Sequence, residues 1–251
     1  MQFRIILGLG ALPSLVVMML CLAQEDSAEF IEARRRQRQA SDSPLRVALR
    51  HPEHWRKLVG TGLTWLLFDC VYFGTTLNQP VILESVFGRA DGAWDTSVQS
   101  IVAASFGLPG VLLAIGNLRC WGSKRLQHWG FVSNAVTAAA FAGFSALAPE
   151  NKVANFSVFC LLVTSLNWGP NVSTYVLPTE TFPAAVRSSF FGLSAAMGKA
   201  GALIGGAAFG PIASSGTNGL AIVLLLCSAL SVTGAAVTIW HIEPYGKPLC
   251  G

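Results

Sequence analysis

Three polar side chains lie inside apolar stretches of this sequence. Lys199 stands among alanines and glycines, Asp69 lies in TWLLFDCVYFGTTLNQ, and Asn171 follows Gly169-Pro170. A lysine near the bilayer centre costs about 2.5–3.5 kcal/mol on insertion scales and usually faces the bundle interior or a cavity. Asn171 offers two donors and an acceptor. Asn171 and Lys199 are on successive apolar stretches, so we expect them to belong to one site.

The stretch that carries Asn171 is interrupted inside an apolar run that starts near Val153. Pro170 removes a backbone donor and clashes with the carbonyl four residues earlier. A broken helix at membrane depth is tolerated only where protein or a watery cavity covers the freed groups. We therefore expect Asn171 to face such a cavity.

The stretch that carries Asp69 also has a patterned face. Trp65, Asp69 and Phe73 recur every four residues and so share one side of a helix. Intramembrane ionisable residues mark transport pathways by default, and a lone carboxylate can bind and release a proton. Asp69 is therefore predicted to carry protons. The alternative is a structural ion pair between Asp69 and Lys199.

The elements that position these residues are membrane spans. The 251 residues are 52% hydrophobic and 12% charged, whereas soluble proteins carry about 25% charged residues. Apolar runs of roughly 20 residues cross a bilayer. Six are predicted, at 57–79, 95–117, 127–148, 153–177, 188–212 and 217–240. The run at 4–22 fits either a further span or a signal peptide.

The basic residues indicate the orientation of these spans. If the segment 24–56 is cytoplasmic, the segments on its side hold twelve lysines and arginines, against two on the other side. Cytoplasmic segments are enriched in such residues. We interpret 24–56 as a basic cytoplasmic linker, with an amphipathic surface helix as the alternative, and 241–251 as a cytoplasmic tail.

Several function classes are disfavoured. No nucleophile and base pair, phosphate-binding glycine loop or cluster of metal ligands is present in the sequence, so no enzyme, cofactor or metal site is predicted. The six cysteines show no CxxC spacing and are interpreted as small core residues, not as disulfides. The basic cluster at 34–38 has no folded module beside it, so nucleic-acid binding is not expected.

Packing roles are predicted for the glycines of one span and for the whole of another. In 188–212, the spacings Gly201-xxx-Gly205 and Gly206-xxx-Gly210 let helices approach closely, and a dimer face is the alternative. The span 127–148 is rich in small residues and is assigned to packing alone.

The stretch GPNVSTYVLPTETFPAAVRSSFFGLSAAMGKAGALIG resembles the signature of the phosphate:proton symporter family of the major facilitator superfamily. WLLFDCVYFGTTLNQ is similar to the seventh transmembrane helix of that family, and RIILGLGALPSL to the sixth, which argues against a cleaved signal peptide. The resemblance runs from about residue 4 to residue 240. It implies an all-α integral membrane fold of seven transmembrane helices, with helix 6 in 1–23 and the six-helix C-terminal half in 57–240.

The resemblance also implies a set of site residues. By position, the phosphate contacts of the family fall on Trp65, Asp69 and Asn171. Lys199 falls on the eleventh helix, near the proton-coupling site. Asp69 is thus expected to bind substrate and to couple protons.

Two departures from the family pattern affect this assignment. A tyrosine contact four residues beyond the aspartate falls on Phe73, and Tyr72 stands one place earlier, about 100° around the helix. Either the helix rotates slightly or this hydrogen bond is lost. In the loop at 119–125, Arg119 replaces the acid of the superfamily pattern DRxGRR, while Glu180 and Arg187 persist. Part of the cytoplasmic charge network is therefore expected to survive.

The function implied is proton-coupled transport of inorganic phosphate, in a multi-pass protein of the plasma membrane. Family members are about twice this length and bind phosphate between two six-helix halves. The expected partners are therefore inorganic phosphate, protons, the lipid bilayer, and a missing N-terminal half or a second copy. The alternatives are a sugar or organic-anion porter of the same superfamily, a non-transporting phosphate sensor, and an inactive fragment.

Overall fold

The computed structural model describes residues 2–25, 27–39, 50–88, 93–216 and 218–242, and every regular element within these ranges is a helix. Six helices or helix pairs among them are long and apolar enough to cross a membrane. They match the six spans predicted between 57 and 240. The predicted all-α integral membrane class is confirmed.

The described helices are numbered here in chain order. They are α1 (Gln2–Leu22), α2 (Ala28–Gln39), α3 (Pro52–Leu77), α4 (Gln79–Phe87), α5 (Ala93–Ser105), α6 (Gly107–Trp121), α7 (Ser123–Leu147), α8 (Lys152–Asn167), α9 (Pro170–Thr181), α10 (Arg187–Ala213) and α11 (Gly219–His241).

The helices α1 and α2 belong to one compact unit, Met1–Pro44, and α3 to α11 belong to a second, Leu45–Gly251. The apolar run at 4–22 is helical, with its described apolar part at Ala11–Leu22. Its place as a membrane span stays a prediction. The segment 24–56 contains α2 and the start of α3, so part of this predicted linker is helical.

The helix α3 contains a turn of different winding just before the face that carries Trp65, Asp69 and Phe73. Val59–Leu63 forms a π-helical turn, a feature frequent at functional sites. Inside this turn the Thr61 hydroxyl donates to the Lys57 carbonyl at 3.0 Å, and the Thr64 hydroxyl donates to the Gly60 carbonyl at 2.7 Å. These bonds satisfy carbonyls that the wider turn leaves less well paired.

The helix α3 packs along α10, and α7 packs along α11. Glycines make the first of these contacts close. A Cβ at Gly201 would collide with the Leu66 carbonyl, and one at Gly205 with the Cys70 carbonyl. The predicted close approach is confirmed, and Gly201 and Gly205 serve it within the chain.

The interior between the spans is filled largely by aromatic and branched side chains, including Phe68, Phe131, Phe141, Phe159 and Phe209. In a bilayer, lipid tails are as apolar as these side chains, so the hydrophobic effect does not hold the spans together. Close packing and interhelical hydrogen bonds therefore carry more of the stability.

The cysteines follow the prediction in part. Cys70, Cys160 and Cys227 are buried and free, as expected of core residues. Cys21 is free but exposed. Cys120 is disulfide-bonded, so the prediction is wrong there. Spacing along the chain does not reveal which cysteines the fold brings together.

Candidate functional site

Asp69 and Lys199 meet where α3 crosses α10. Asp69 is only 4% exposed. The Lys199 ammonium lies 3.9 Å from Asp69 Oδ2, and the lysine side chain is 65% exposed. Gly198 lies directly against the Trp65 indole, which brings the backbone of α10 close enough for this pair. A buried acid is thus joined to a cation that a ligand can reach.

Phe73 helps to place the lysine. The Lys199 ammonium lies 5.1 Å from the centroid of the Phe73 ring, a cation–π contact. The Tyr72 ring packs against Phe68 and Phe73, each at 5.4 Å between centroids. Phe73, one turn beyond Asp69, therefore lies beside Lys199 but has no hydroxyl to donate. Tyr72 packs on Phe68 and Phe73 instead of lying beside the ammonium.

Trp65 lies one turn before Asp69 and is 1% exposed. Its ring meets Tyr175 edge-on at 4.7 Å and Phe191 at 5.6 Å. Among the described residues, neither Trp65 Nε1 nor Asp69 Oδ2 has a hydrogen bond of normal geometry, although the indole and the carboxylate are near one another. Buried groups without partners are expensive and usually have a functional reason.

The predicted break at Gly169-Pro170, in the apolar run that starts near Val153, is present. The helix α8 ends at Asn167, α9 begins at Pro170, and Gly169 has a φ of +98°, which suits glycine alone. A Cβ on Gly130 of α7 would collide with Pro170, so α7 covers the break. Protein therefore shields the break, and Asn171 donates to Asn167 Oδ1 at 3.0 Å.

A polar network on α7 supports this break, so the span 127–148, assigned to packing, contributes hydrogen bonds as well as small side chains. Gln127 accepts from the Ser173 hydroxyl at 3.0 Å and donates to Thr238 at 3.2 Å. Asn134 accepts from the Ser165 hydroxyl at 2.5 Å. Gln127 and Asn134 were not identified from the sequence because isolated polar side chains among small ones show no periodicity.

Tyr175 is the site residue that sequence reasoning missed. It lies one turn after Asn171 on α9, is half exposed, and contacts Trp65. It connects α9 to the cluster of Trp65, Asp69 and Lys199. The spacing of four residues from Asn171 is the signal that could have identified it.

Polar links join the helix ends near Glu180 and Arg187. The Ser123 hydroxyl, at the start of α7, donates to Glu180. Arg187 Nε donates to the Phe182 carbonyl at 3.0 Å. These bonds tie the start of α7 to the end of α9, and α10 to the turn before it.

The helix bundle and its charged pair are consistent with a membrane carrier, and comparison with known proteins decides the family. A family model described as "Sugar (and other) transporter" matches residues 1–243. The chain belongs to this transporter family. This membership confirms the predicted place in the major facilitator superfamily and supports an integral multi-pass membrane protein.

Relatives of this transporter chain carry more specific names. It is 33% identical over 249 residues to inorganic phosphate transporter PT2 of Toxoplasma gondii, covering 98% of this chain and 42% of that protein. It is 29% identical over 220 residues to inorganic phosphate transporter 1-1 of Arabidopsis thaliana, covering 78% and 42%. It is 33% identical over 169 residues to the repressible high-affinity phosphate permease of Neurospora crassa, covering 63% and 29%. The chain spans less than half the length of these relatives.

Proposed function

We propose that this chain supplies the C-terminal half of a carrier that moves inorganic phosphate across a membrane together with protons. The observation that carries the proposal is a buried carboxylate beside an accessible lysine, in a chain whose relatives are named phosphate transporters. Ionisable side chains within apolar spans are costly and rare, and they usually mark the path of a substrate, ion or proton.

Phosphate binding would draw on three side chains of the cluster. Lys199 supplies a positive charge on the exposed side of the cluster, where it can pair with an anion. Trp65 offers its buried Nε1–H, which lies near Asp69, as a donor. Asn171, on the neighbouring α9, adds an amide donor once it releases Asn167.

Asp69 would link phosphate movement to proton movement. Protonated Asp69 donates a hydrogen bond to a phosphate oxygen, while ionised Asp69 repels the anion and draws Lys199 to itself. Loss of the proton toward the cytoplasm therefore helps to expel phosphate there. Asp69 Oδ2, which lies 3.9 Å from the Lys199 ammonium, is the atom that would carry this proton.

The irregular backbone around the cluster would permit the movement. The break at Gly169-Pro170 lets α9 bend against α8, and the π-helical turn lets α3 rotate Trp65 and Asp69 together. The glycines beside Lys199 keep α10 close to α3 with little side-chain obstruction. Carriers of this type work by rocking one bundle against another around a central site.

The remaining parts of the proposal concern arrangement. The segment 1–23 would form one membrane helix, 24–56 and 241–251 would lie in the cytoplasm, and 57–240 would form a six-helix half. An N-terminal half or a second copy of the chain would complete the cavity. The plasma membrane is the proposed location.

The test is uptake of radiolabelled phosphate into cells that lack their own phosphate carriers and express the native-length protein. We expect saturable uptake that a proton ionophore abolishes, that arsenate competes with, and that hexoses and dicarboxylates leave unchanged. If Asp69→Asn takes up phosphate as wild type does at every external pH, Asp69 has no role in proton coupling. Phosphate binding without uptake would identify a sensor, and neither binding nor uptake an inactive fragment.

A further inference from the structure

A groove lined by three tryptophans lies beside α7. Trp121 of α6, Trp129 of α7 and Trp168, just after α8, line it together with Val132 and Val136, and its volume is about 270 Å³. Trp129 is 52% exposed and Val136 is 62% exposed, so this side of α7 faces away from the bundle interior. None of these residues belongs to the candidate site, so phosphate transport does not account for the groove.

The two hydroxyl side chains in the groove are already used within the protein. The Ser133 hydroxyl donates to the Ser165 hydroxyl at 3.0 Å, and the Thr137 hydroxyl donates to the Ser133 carbonyl at 2.9 Å. Each hydroxyl has only one hydrogen to donate, so neither has one left for a polar ligand. Because valine and tryptophan side chains form the rest of the lining, the groove suits an apolar occupant.

The groove starts near the end of two candidate membrane spans. One span ends at Trp121, and the next begins at Ser123. At a rise of 1.5 Å per residue, Trp129 lies about 9 Å and Val136 about 20 Å along α7 from that end. Tryptophan is enriched at the level of lipid headgroups, and the hydrocarbon region lies deeper. The groove therefore runs from the headgroup level toward the acyl chains.

A free positive charge lies at the headgroup end of this groove. The segment 119–125 holds three basic residues and no acid. Arg125, the last of them, is exposed and lies one turn before Trp129, on the same side of α7. Arg125 makes no hydrogen bond or ion pair with any residue that the structure describes, and Glu180 accepts from Ser123 instead. The guanidinium is thus available to an anion.

The order of side chains along α7 matches that of a phospholipid. A cation comes first, then a tryptophan, then two valines, as a phosphate headgroup is followed by ester groups and acyl chains. An anionic headgroup complements the basic segment 119–125. A partner helix is 10–12 Å across and would lie over a groove of about 270 Å³ without entering it, whereas part of one acyl chain can enter.

We propose that this groove binds one anionic phospholipid, with the lipid phosphate at Arg125 and an acyl chain along Trp129, Val132 and Val136. The proposal does not rest on phosphate transport, because it concerns the side of α7 that faces away from the candidate site. Trp168 directly precedes the break at Gly169-Pro170. A lipid in the groove therefore lies next to the irregular part of that span.

The experiment is native mass spectrometry of the native-length protein, titrated with phosphatidylglycerol or with phosphatidylcholine of the same acyl chains. We expect wild type to bind one phosphatidylglycerol about fivefold more tightly than phosphatidylcholine, since one basic residue near anionic lipid contributes roughly that factor. Arg125→Gln should abolish this preference, and Arg125→Lys should keep it.

Arg119→Gln is the matched charge control. Arg119 is exposed and lies two residues before Trp121, about 200° around α6, so it points away from the Trp121 side of the groove. This variant should keep the preference for phosphatidylglycerol. An equal loss of preference in Arg119→Gln and Arg125→Gln would show a general effect of charge and overturn the site.

The acyl-chain contact is tested by filling the groove. Val136→Trp, or the smaller change Val136→Phe if the first variant folds poorly, should weaken binding of both lipids several-fold. Leu147→Trp, at an exposed position of α7 outside the groove, should bind both lipids as wild type does. Wild-type binding by the Val136 variants would overturn the proposal. A protein dimer formed by wild type but not by Val136→Trp would assign the groove to a second copy instead.

The source of the negative charge is tested in the same titration. Added inorganic phosphate should leave the preference for phosphatidylglycerol unchanged, because the acyl chain holds the lipid in place. Loss of the preference on adding phosphate would assign Arg125 to the free anion and contradict the lipid site. All these readouts measure lipid binding, so a failure of phosphate uptake would leave them decisive.

Discussion

The two closest helix pairs of the bundle, α3 with α10 and α7 with α11, are built in different ways. In the first, glycines of α10 lie against the carbonyls of Leu66 and Cys70, and Asp69 Oδ2 lies 3.9 Å from the Lys199 ammonium. The Thr61 and Ser194 hydroxyls are hydrogen-bonded to one another at 2.9 Å across this pair. In the second, Gln127 bonds on both sides, and the Ser228 hydroxyl donates to the Ala135 carbonyl at 2.9 Å.

This difference separates the helix pair that carries the candidate site from the pair that supports the fold. Hydrogen bonds to neighbouring helices and filled packing make α7 and α11 a scaffold, in which Asn134 Nδ2 and Ser231 Oγ have no hydrogen-bond partner among the described residues. The α3–α10 pair approaches through backbone and places the buried Asp69 beside the exposed Lys199. Substitutions should therefore affect the two pairs differently: function more than folding in one, folding more than function in the other.

The largest expected effect concerns the charge of Lys199. Lys199→Gln should raise the KM for phosphate tenfold or more, because a hydrogen bond to a charged group contributes about 1.5–3 kcal/mol. Lys199→Arg keeps the charge and should retain most of the affinity. Lys152→Gln, at the exposed start of α8, is the matched neutral substitution. Uptake kinetics of the three variants test this prediction. An equal KM for Lys199→Gln and Lys152→Gln would show that the charge of Lys199 does not contribute to phosphate binding.

The glycine contact gives the next effect. Gly201→Ala should destabilise the folded protein by about 1–3 kcal/mol, because overpacking against a fixed backbone has that cost. The new Cβ would collide with the Leu66 carbonyl. Gly192→Ala, on the same helix with open space around it, should cause no loss. Thermal unfolding in detergent is the measurement, and similar melting temperatures for the two variants would show that α3 and α10 are not held by close approach.

Much of this arrangement could be predicted from the sequence, but not all of it. Asp69 and Lys199 stand out because charge is rare in apolar runs, and a spacing of four places Trp65 and Phe73 beside Asp69. The contact of Tyr175 with Trp65 was not predicted, although Tyr175 lies four residues from Asn171, because the two rings are 110 positions apart in sequence. Gln127 was missed because burial and partners depend on tertiary packing, which periodicity does not encode.

A substitution in the α7–α11 pair should lower the amount of folded protein and leave the affinity for phosphate unchanged. Gln127→Leu leaves the Ser173 hydroxyl without its acceptor and Thr238 without its donor. Interhelical hydrogen bonds in membranes are worth about 0.6–1.7 kcal/mol, so the amount of folded protein should fall while the phosphate KM stays constant. Size-exclusion of the solubilised protein and uptake kinetics measure the two quantities. A shifted KM with normal folding would place α7 in the site.

The smallest expected effect distinguishes a functional Asp69–Lys199 pair from a structural ion pair. A double-mutant cycle on unfolding with Asp69→Asn and Lys199→Gln should give a coupling of about 0.2–1 kcal/mol, because the lysine is largely exposed. A coupling of several kcal/mol would favour the structural ion pair instead. The same cycle on phosphate uptake should show strong non-additivity, since both residues act on one ligand.

Phosphate binding is proposed to be linked to the protonation of Asp69, and isothermal titration calorimetry measures this link. Phosphate is titrated into the native-length protein at one pH, in two buffers that differ in ionisation enthalpy. The dependence of the binding heat on the buffer gives the protons exchanged. We predict that wild type takes up more protons per phosphate than Asp69→Asn does, with both proteins still binding. Equal proton exchange in the two proteins would contradict the account.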